Sequence, residues 1–272
     1  MTAVIYSYDP LPKQKEFHNL KTKNKFFIGG FGSGKTKALI WEAIDLCIRY
    51  PKNCGLLCRK YNEDLRPTII KNFFEECPGD LIRNITDGGH TIELINDSVI
   101  IFSGLYTKQK TRITKVGSLN LGFFGLDEAH EFSEEDYLML QGRLRLQTVP
   151  VHYALVVSNP PNIDHWIYKK AVLEKNTDTA MVRASSYDNP FLPKDYIENL
   201  IKEYPESWVK RFIEGQFGFL TPGYPVYKNF SETKHVKELK YNSAKPVIRG
   251  WDFGWHHPAV VFCQQDSDDR FL

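Results

Sequence analysis

The chain has 272 residues, of which 42% are hydrophobic and 25% charged, and its formal net charge at pH 7 is +2. This length and composition provide for one sizeable hydrophobic core and the start of a second domain. The nearly balanced charge gives no global sign of a nucleic-acid binder. No segment is apolar over the length of a membrane span. The five cysteines contain no CxxC pair that would indicate a disulfide framework or a zinc site.

The first part of the chain predicts alternating strands and helices, which favours an α/β domain with a largely parallel sheet. A buried strand is indicated by "KFFI", and the apolar residues of "KTKALIWEAIDLCIRYP" recur at helical spacing until Pro51 stops the helix. A second strand, "CGLLCRK", precedes a helix that follows Pro67. In "HTIELINDSVIIFSG", Asn96 and Asp97 predict the turn of a hairpin.

Further along the chain, the apolar strands "LGFFGL" and "HYALVVS" each end in a polar tip. A last strand is indicated by "MVRASS", and "KDYIENLIKEY" and "SWVKRFIEG" predict helices, the second of which ends at Gly215. Residues 216–245 carry Gly and Pro without a clear period, and a new β pattern begins after them. We therefore predict a first domain over residues 1–215, a linker over residues 216–245 and an incomplete second domain over residues 246–272.

One glycine-rich segment indicates phosphate binding. The residues "GGFGSGKT" match G-x-x-x-x-G-K-[ST], with a predicted strand before them and a predicted helix after them. Such a loop turns backbone N–H groups around phosphate oxygens at the positive end of a helix dipole. Lys35 would reach the terminal phosphates of ATP, and the Thr36 hydroxyl would bind Mg²⁺. The predicted nucleotide-binding residues of this loop are Gly29, Gly30, Phe31, Gly32, Ser33, Gly34, Lys35 and Thr36.

Two acidic residues follow the apolar strand "LGFFGL". Asp127 is predicted to hold Mg²⁺ from outside the shell of its direct ligands, or through water, and Glu128 is predicted to act as the general base that polarises the attacking water. Paired acids at a strand tip are otherwise often exposed surface residues. The phosphate-binding segment favours the catalytic interpretation, because productive ATP binding requires a carboxylate for the metal.

Three further polar side chains are candidates for nucleotide contacts. The side-chain amide of Gln14, upstream of the first strand, could contact the edge of adenine, or it could be an exposed residue of an N-terminal arm. Ser158 and Asn159 begin the segment "SNPPN" at another strand end. They could sense the γ-phosphate, or the segment could be only a proline-stiffened turn.

Phosphoryl transfer also needs positive charge near the transferred group, often from an arginine in the same or a neighbouring subunit. Arg112, Arg143 and Arg145 are the candidates, and the sequence does not choose among them. Arg112 belongs to the basic run "TKQKTRITK", which could contact phosphates or be a solvated surface. The other two follow the acidic strand, where salt bridges are the plainer role.

In this order, these motifs resemble the large terminase subunit of tailed bacteriophages, the motor that packages double-stranded DNA. The phosphate loop, Gln14, Asp127 with Glu128, "SNPP", "SSYDNPFLP" and "RFIEGQF" look like the ATPase domain of that family and cover about the first four-fifths of the chain. The resemblance implies a P-loop NTPase of the additional-strand, RecA-like type, with a mostly parallel central sheet flanked by helices.

The resemblance also implies partners and a location. The expected partners are double-stranded DNA, the portal protein and the small terminase subunit, with a homo-oligomeric ring when the motor is docked on the portal and a monomer in isolation. The expected location is the host cell cytoplasm, without a membrane, and the N-terminus shows no secretory signal.

The last residues are similar to the opening strands of the RNase H-like nuclease of that family. In "VIRGWDFGWHHPAVV", Asp252 would correspond to the first metal-binding carboxylate. A nuclease of this type needs several carboxylates from separate strands, whereas Asp266, Asp268 and Asp269 lie in an apparent hairpin turn. We therefore expect no competent nuclease in this chain, which is one difference from the family.

A second difference from the family is Phe31 in the phosphate loop, because many members of the family carry Arg at that position.

Two alternative functions follow from the same residues. The letters "DEAH", Asp127 to His130, are also found in helicases, but a helicase of that kind needs a second motor domain, for which too few residues follow Gly215. The other alternative is a nucleotide-regulated module that docks DNA or the portal without motor activity. The complete set of Lys35, Thr36, Asp127 and Glu128 argues against it.

Overall fold

The computed structural model describes residues 8–109, 113–218, 235–236, 238–239, 241–253 and 259–265. Contacts divide the chain into two units, Met1–Leu220 and Thr221–Leu272. Arg112 and the predicted acidic turn with Asp266, Asp268 and Asp269 lie outside the described residues.

The first unit is built on one central sheet. Its strands are β1 Asn24–Gly29, β2 Cys54–Tyr61, β3 Ile82–Thr86, β4 Thr91–Leu94, β5 Val99–Tyr106, β6 Phe123–Leu126, β7 Tyr153–Ser158 and β8 Thr179–Ala184. They lie in the order β3-β4-β5-β2-β6-β7-β1-β8. The strands from β5 to β8 in this order are parallel, and β3 and β4 add an antiparallel edge. The predicted α/β class with a mostly parallel sheet is confirmed.

Helices cover both faces of this sheet. They are α1 Pro12–Asn19, α2 Lys35–Arg49, α3 Lys71–Glu76, α4 Glu134–Gln141, α5 Trp166–Tyr168, α6 Tyr196–Glu203 and α7 Glu206–Trp208. Three π-helical turns adjoin them: Arg66–Ile70 leads into α3, Lys169–Leu173 extends α5, and Val209–Ile213 extends α7. Short 3-10 turns lie at Asn62–Asp64, Gly79–Leu81, Asp87–Gly89, Thr114–Ser118, Ala129–Glu131 and Ser186–Asp188.

Helix α1 and strand β3 are among the elements that the sequence analysis did not predict. Strand β3 exposes every residue after Ile82, so it lacks the apolar alternation by which strands are recognised. Helix α1 buries only Gln14 and Phe17, so its apolar face is too small to give a clear helical period. Helix α1 is positioned by a contact distant in sequence, between Gln14 and Gly34, whereas β3 is positioned by pairing with β4, the next strand along the chain.

The hydrophobic core lies on both faces of the sheet because side chains alternate along each strand. In β1, Phe27 packs into the cluster that contains α2 and α3. Its neighbours Phe26 and Ile28 point to the opposite face and pack with Tyr137 of α4 and Trp166 of α5. Burial on both faces fixes β1 in the middle of the fold, and the loop that follows it is thereby held at the sheet edge.

The parallel arrangement brings three loops together. Because parallel strands end at the same edge of a sheet, the loops after β1, β6 and β7 are neighbours in space. Strand β7 lies between β1 and β6, with Phe26 opposite Val156 and Leu126 also opposite Val156. The segments predicted to carry chemistry therefore share one edge.

The second unit contains a two-stranded antiparallel sheet. Its strands are β9 Ile248–Asp252 and β10 Ala259–Cys263, with Asp252 opposite Ala259. The predicted division into domains at residues 215 and 245 stays a prediction. Across the described ranges of both units, no helix combines the length and apolar character needed to cross a bilayer.

Candidate active site

The phosphate-loop segment Gly29–Thr36 connects β1 to the N-terminus of the 15-residue helix α2. Gly34 caps this helix with φ of 83° and Gly32 has φ of 67°, values that favour glycine. Gly30 is held for a different reason, because a Cβ there would lie 2.5 Å from the Ile213 carbonyl oxygen. The loop thus has the backbone and the helix position that phosphate binding requires.

Lys35, the first residue of α2, is buried, and its amine lies against the start of the loop. Its Nζ donates to the carbonyl oxygens of Gly29 at 2.9 Å and Gly30 at 2.7 Å, and to Asn159 Oδ1 at 3.1 Å. Burial lowers the pKa of the Lys35 amine to about 8, against the opposing attraction of Glu128 and Asp127. The ammonium group is therefore kept charged by nearby carboxylates and is already directed to the turn of the loop.

Asp127 follows β6 and is joined directly to the first turn of α2. The Thr36 hydroxyl donates to Asp127 Oδ1 at 3.0 Å, and Arg59 Nη1 lies 3.5 Å from Asp127 Oδ2. Burial raises the pKa of the Asp127 carboxyl above its usual range, repulsion from Glu128 adds to this, and Arg59 and Thr36 oppose it. The Thr36 hydroxyl and the Asp127 carboxylate are thus hydrogen-bonded directly to each other.

The residues Thr36 and Asp127 fit the requirements of Mg²⁺. This ion prefers oxygen ligands and is usually bound by one or two protein groups together with substrate phosphates and waters. Within the described ranges, no group of three or more His, Cys, Asp or Glu side chains could form an all-protein metal cage. The Thr36 hydroxyl and the Asp127 carboxylate therefore suit a metal ion that would take its remaining ligands from the phosphates of a bound nucleotide and from water.

Glu128 has an unusual backbone conformation. Its φ of 53° and ψ of 51° lie in the left-handed region, which costs about 1–3 kcal/mol for a residue with a side chain and is often found at active sites. Its Oε2 accepts a hydrogen bond from Asn159 Nδ2 at 3.1 Å and lies 3.4 Å from His130 Nδ1. The carboxylate is held by partners on two different loops.

The segment after β7 contacts both charged groups of the site. The Asn159 amide reaches Lys35 on one side and Glu128 on the other. Ser158 Oγ accepts from the His130 backbone N–H at 3.0 Å, which ties this segment to the turn after β6. Burial lowers the pKa of His130 to about 4, with repulsion from Arg211 and Arg59 as the next causes, so its ring is neutral at pH 7.

Gln14 lies beside the phosphate loop. Its Nε2 donates to the Gly34 carbonyl oxygen at 2.9 Å, and its Oε1 accepts from the Leu11 backbone N–H at 2.9 Å. The side chain is 1% exposed, so the alternative of an exposed residue in an N-terminal arm is wrong. Contact with adenine stays a prediction.

Two of the three arginine candidates, Arg143 and Arg145, lie away from the phosphate loop. Arg143 donates to the Gly117 carbonyl oxygen, and Arg145 donates to Asn120 Oδ1 at 2.7 Å. The two acceptors, Gly117 and Asn120, lie in the segment that leads into β6. Because Asp127 follows the other end of β6, the two arginines lie at the opposite edge of the sheet from the phosphate loop. A role for them in a neighbouring subunit stays a prediction, as does the metal role of Asp252, which ends β9 in the second unit.

Four residues of this region were not predicted: Arg59, His130, Arg211 and Phe212. Arg59 follows the buried part of β2, and the register of Cys58 with Leu126 places it beside Asp127. It also lies 3.6 Å from Glu131. A polar residue after a buried apolar strand was a signal that could have identified Arg59, since Asp127 was recognised in the same way.

Phe31 occupies its place in the loop through aromatic packing. Its ring stacks on the ring of Phe212 with centroids 4.8 Å apart and planes inclined by 4°. The Phe31 backbone N–H donates to the Phe212 carbonyl oxygen at 2.6 Å. The phosphate loop is thus attached to the π-helical turn after α7.

Comparison with protein-family models gives a match to "Phage terminase large subunit" over residues 21–212. Comparison with curated proteins gives no match. Among solved structures, the chain is similar to the large terminase of a thermophilic bacteriophage, with TM-score 0.68 and 16% identity, over 94% of this chain and 65% of that one. The chain therefore spans just under two thirds of the length of that protein.

Two further solved structures are similar. One is the large terminase of the same thermophilic bacteriophage in complex with ATP-γ-S, with TM-score 0.64 and 16% identity, over 93% of this chain and 63% of that chain. The other is the ATPase domain of the large terminase of Thermus phage P74-26, with TM-score 0.58 and 17% identity, over 77% of this chain and 94% of that chain. At these identities the likeness concerns the fold, and it confirms the predicted P-loop NTPase fold class.

Proposed function

This chain belongs to the phage terminase large subunit family, and on that premise we propose that it is the ATP-hydrolysing motor part of a DNA-packaging terminase. The observation that carries the proposal is the convergence of Lys35, Thr36, Asp127 and Glu128 at one sheet edge, linked by the Thr36–Asp127 hydrogen bond and by Asn159. The large terminase of the thermophilic bacteriophage, which has the same fold, is known in complex with ATP-γ-S.

The phosphate loop binds the nucleotide. Backbone N–H groups at the start of α2 face the phosphates of ATP, and Lys35 exchanges its present carbonyl acceptors for phosphate oxygens. This exchange is favourable because the phosphates supply full negative charge to a buried ammonium group. Thr36 and Asp127 would hold Mg²⁺, and the ion would supply positive charge to the phosphates of ATP.

Hydrolysis is assigned to Glu128. Its carboxylate accepts a proton from a water whose oxygen forms a bond to the γ-phosphorus. The bond between the γ-phosphorus and the bridging oxygen breaks, and its electron pair stays on ADP. The accepted proton then passes to the released phosphate, so that ATP and water yield ADP and inorganic phosphate. Asn159 orients the Glu128 carboxylate through its amide hydrogen bond.

The segment from Ser158 to Pro160 couples the nucleotide to DNA movement. Asn159 contacts both Lys35 and Glu128, so replacing the lysine contact with a phosphate changes the position of the segment. The motor uses this change to move double-stranded DNA into the procapsid. Its partners are the portal protein and the small terminase subunit, and it acts as a homo-oligomeric ring on the portal, in the host cell cytoplasm.

The domain assignment is part of this proposal. Residues 1–215 form the ATPase domain, residues 216–245 form a linker, and residues 246–272 correspond to the start of an RNase H-like domain. In the last of these, Asp252 at the end of β9 would contribute one ligand to a divalent-metal site only if the rest of such a nuclease domain were present.

The test is ATP hydrolysis by the purified chain, with and without double-stranded DNA. Hydrolysis that DNA stimulates is the expected result. Glu128→Gln should retain nucleotide binding and lose turnover, whereas Lys35→Ala should lose both, and the exposed Lys71→Ala should change neither. Near-normal hydrolysis by Glu128→Gln would remove that residue from the catalytic role.

An unwinding assay and a DNA-binding assay separate the alternatives. Strand separation by the chain would favour a helicase-like ATPase. DNA binding that depends on nucleotide but occurs without hydrolysis would favour a docking module. Either result would overturn the motor proposal.

A further inference from the structure

The π-helical turn that extends α7 places an arginine beside the proposed hydrolysis site. Arg211 Nε donates to the Pro160 carbonyl oxygen. Pro160 directly follows Asn159, whose amide contacts both Lys35 and Glu128. The guanidinium group is therefore attached to the segment that holds the proposed general base.

Aromatic packing fixes the position of this arginine. The Arg211 guanidinium lies 4.8 Å from the centroid of the Phe212 ring, and that ring stacks on Phe31 of the phosphate loop. The carbonyl oxygens of Phe212 and Ile213 also crowd Gly30, where a Cβ would lie 2.7 and 2.5 Å from them. Residues 211–213 are thus packed against the first half of the phosphate loop.

The end of the side chain remains available. Among the described residues, the Nη atoms of Arg211 form no hydrogen bond and no ion pair, although the residue is half-buried. The residue lines a cavity of about 480 Å³ together with His130, Pro161 and His165. Its charge also contributes to the lowered pKa of His130, after burial as the main cause, and His130 adjoins Glu128.

Three other arginines of the described part of this unit are committed or distant. Arg59 faces the carboxylates of Asp127 and Glu131. Arg143 and Arg145 are held at the opposite edge of the sheet. Arg211, by contrast, has unused donors and lies beside the Asn159 segment.

We propose that Arg211 supplies, within the same chain, the positive charge that stabilises the phosphoryl group during ATP hydrolysis. The proposal rests on the proposed ATPase function. As the water oxygen bonds to the γ-phosphorus and the bridging oxygen leaves with its electron pair on ADP, negative charge spreads over the γ-phosphate oxygens. The Nη groups donate hydrogen bonds to those oxygens, while Nε keeps its bond to Pro160.

The first experiment compares wild type, Arg211→Gln and Arg211→Lys, with Arg83→Gln as the matched control. Arg83 is an exposed arginine of β3 paired with exposed Asp97, and a surface pair of this kind contributes little. We expect kcat to fall on the order of 10³-fold in Arg211→Gln, with KM changed less than about threefold. Arg211→Lys should recover little activity, because an ammonium group cannot keep the Pro160 bond and also present a fork of donors.

A second measurement separates this role from a structural one. ADP with aluminium fluoride imitates the transferred phosphoryl group, whereas ADP alone does not. Arg211→Gln should bind a fluorescent ADP normally and fail to form the stable ADP–aluminium fluoride complex. A residue that only held the fold together would weaken both complexes alike. Thermal unfolding identifies a variant that does not fold, and Arg211→Lys then serves in its place.

Mixing two inactive variants shows which chain supplies the charge. Arg211→Gln and Glu128→Gln each carry one intact half of the pair, so an arginine acting on a neighbouring subunit would restore hydrolysis in the mixture. We expect no recovery, because both residues must lie in one chain. Recovery on mixing, or wild-type kcat in Arg211→Gln, would overturn the proposal. If wild type itself hydrolysed no ATP, the proposed function would be the part that fails.

Discussion

Asn159 Nδ2 donates a hydrogen bond to Glu128 Oε2 at 3.1 Å, which links the loop after β7 to the loop after β6. The same side chain accepts from Lys35 on its other side. One neutral amide therefore separates a buried cation from the proposed general base and fixes the orientation of both. Disturbing this amide should affect chemistry more than binding.

Asn159→Ala should reduce kcat on the order of 10²-fold, because a misplaced general base loses the geometry of attack. Nucleotide affinity should change little, since the phosphate loop and Lys35 remain. The measurements are steady-state hydrolysis and the equilibrium binding of a fluorescent ADP. The control is Asn176→Ala, whose side chain accepts a hydrogen bond from the Asp178 backbone N–H far from the site. An equal loss in affinity and turnover would show that Asn159 acts in binding.

Thr36→Val removes a hydroxyl and keeps the shape of the side chain. It should raise the Mg²⁺ concentration needed for half-maximal hydrolysis at least about tenfold, which corresponds to the loss of one hydrogen bond to a charged group. The same shift should occur in Mg²⁺-dependent nucleotide binding, which does not depend on turnover. Thr148→Val is the control, because the Thr148 hydroxyl is exposed and donates to the Lys52 carbonyl oxygen. An unchanged Mg²⁺ requirement would separate Thr36 from the metal.

Gly30→Ala should destabilise the fold by about 1–3 kcal/mol, because the added Cβ overpacks a filled space. That atom would lie 2.5 Å from the Ile213 carbonyl oxygen and 2.7 Å from the Phe212 carbonyl oxygen. Gly79→Ala is the matched control, since a Cβ at Gly79 has nothing within 4 Å. Urea unfolding of both variants gives the free energies of unfolding. Equal values for the two variants would show that residues 211–213 move away without cost.

The stability of the chain should fall in acid partly because of His130. Burial lowers the pKa of the His130 ring from 6.5 to about 4, so between these pH values the unfolded chain binds more protons than the folded chain. The free energy of unfolding therefore rises with pH across this window. The contribution of His130 is about 2 kcal/mol after allowance for its partial exposure, and it is lost as the pH falls. Denaturant unfolding between pH 4 and 7 should give a flatter pH dependence for His130→Asn than for wild type. Parallel curves would contradict the assignment.

Much of the site could be predicted because its signals are local. The phosphate loop, with Lys35 and Thr36, is one continuous segment whose spacing carries its own meaning. Asp127 and Glu128 could be recognised because they end a buried strand. The α/β class followed from alternating periods, since each strand and helix must bury an apolar face.

The sequence by itself determined which residues can bind a phosphate and which carboxylates follow a strand, because those properties depend on neighbours along the chain. Only the tertiary structure decided which distant residues meet them. The strand order β2-β6-β7-β1 places Arg59 and Asn159 on either side of the acidic turn, and the turn after α7 returns Arg211 and Phe212 to the phosphate loop. The tertiary structure also places Arg143 and Arg145 at the sheet edge opposite the phosphate loop, because they contact the segment that leads into the amino end of β6. The length of that strand separates them from Asp127.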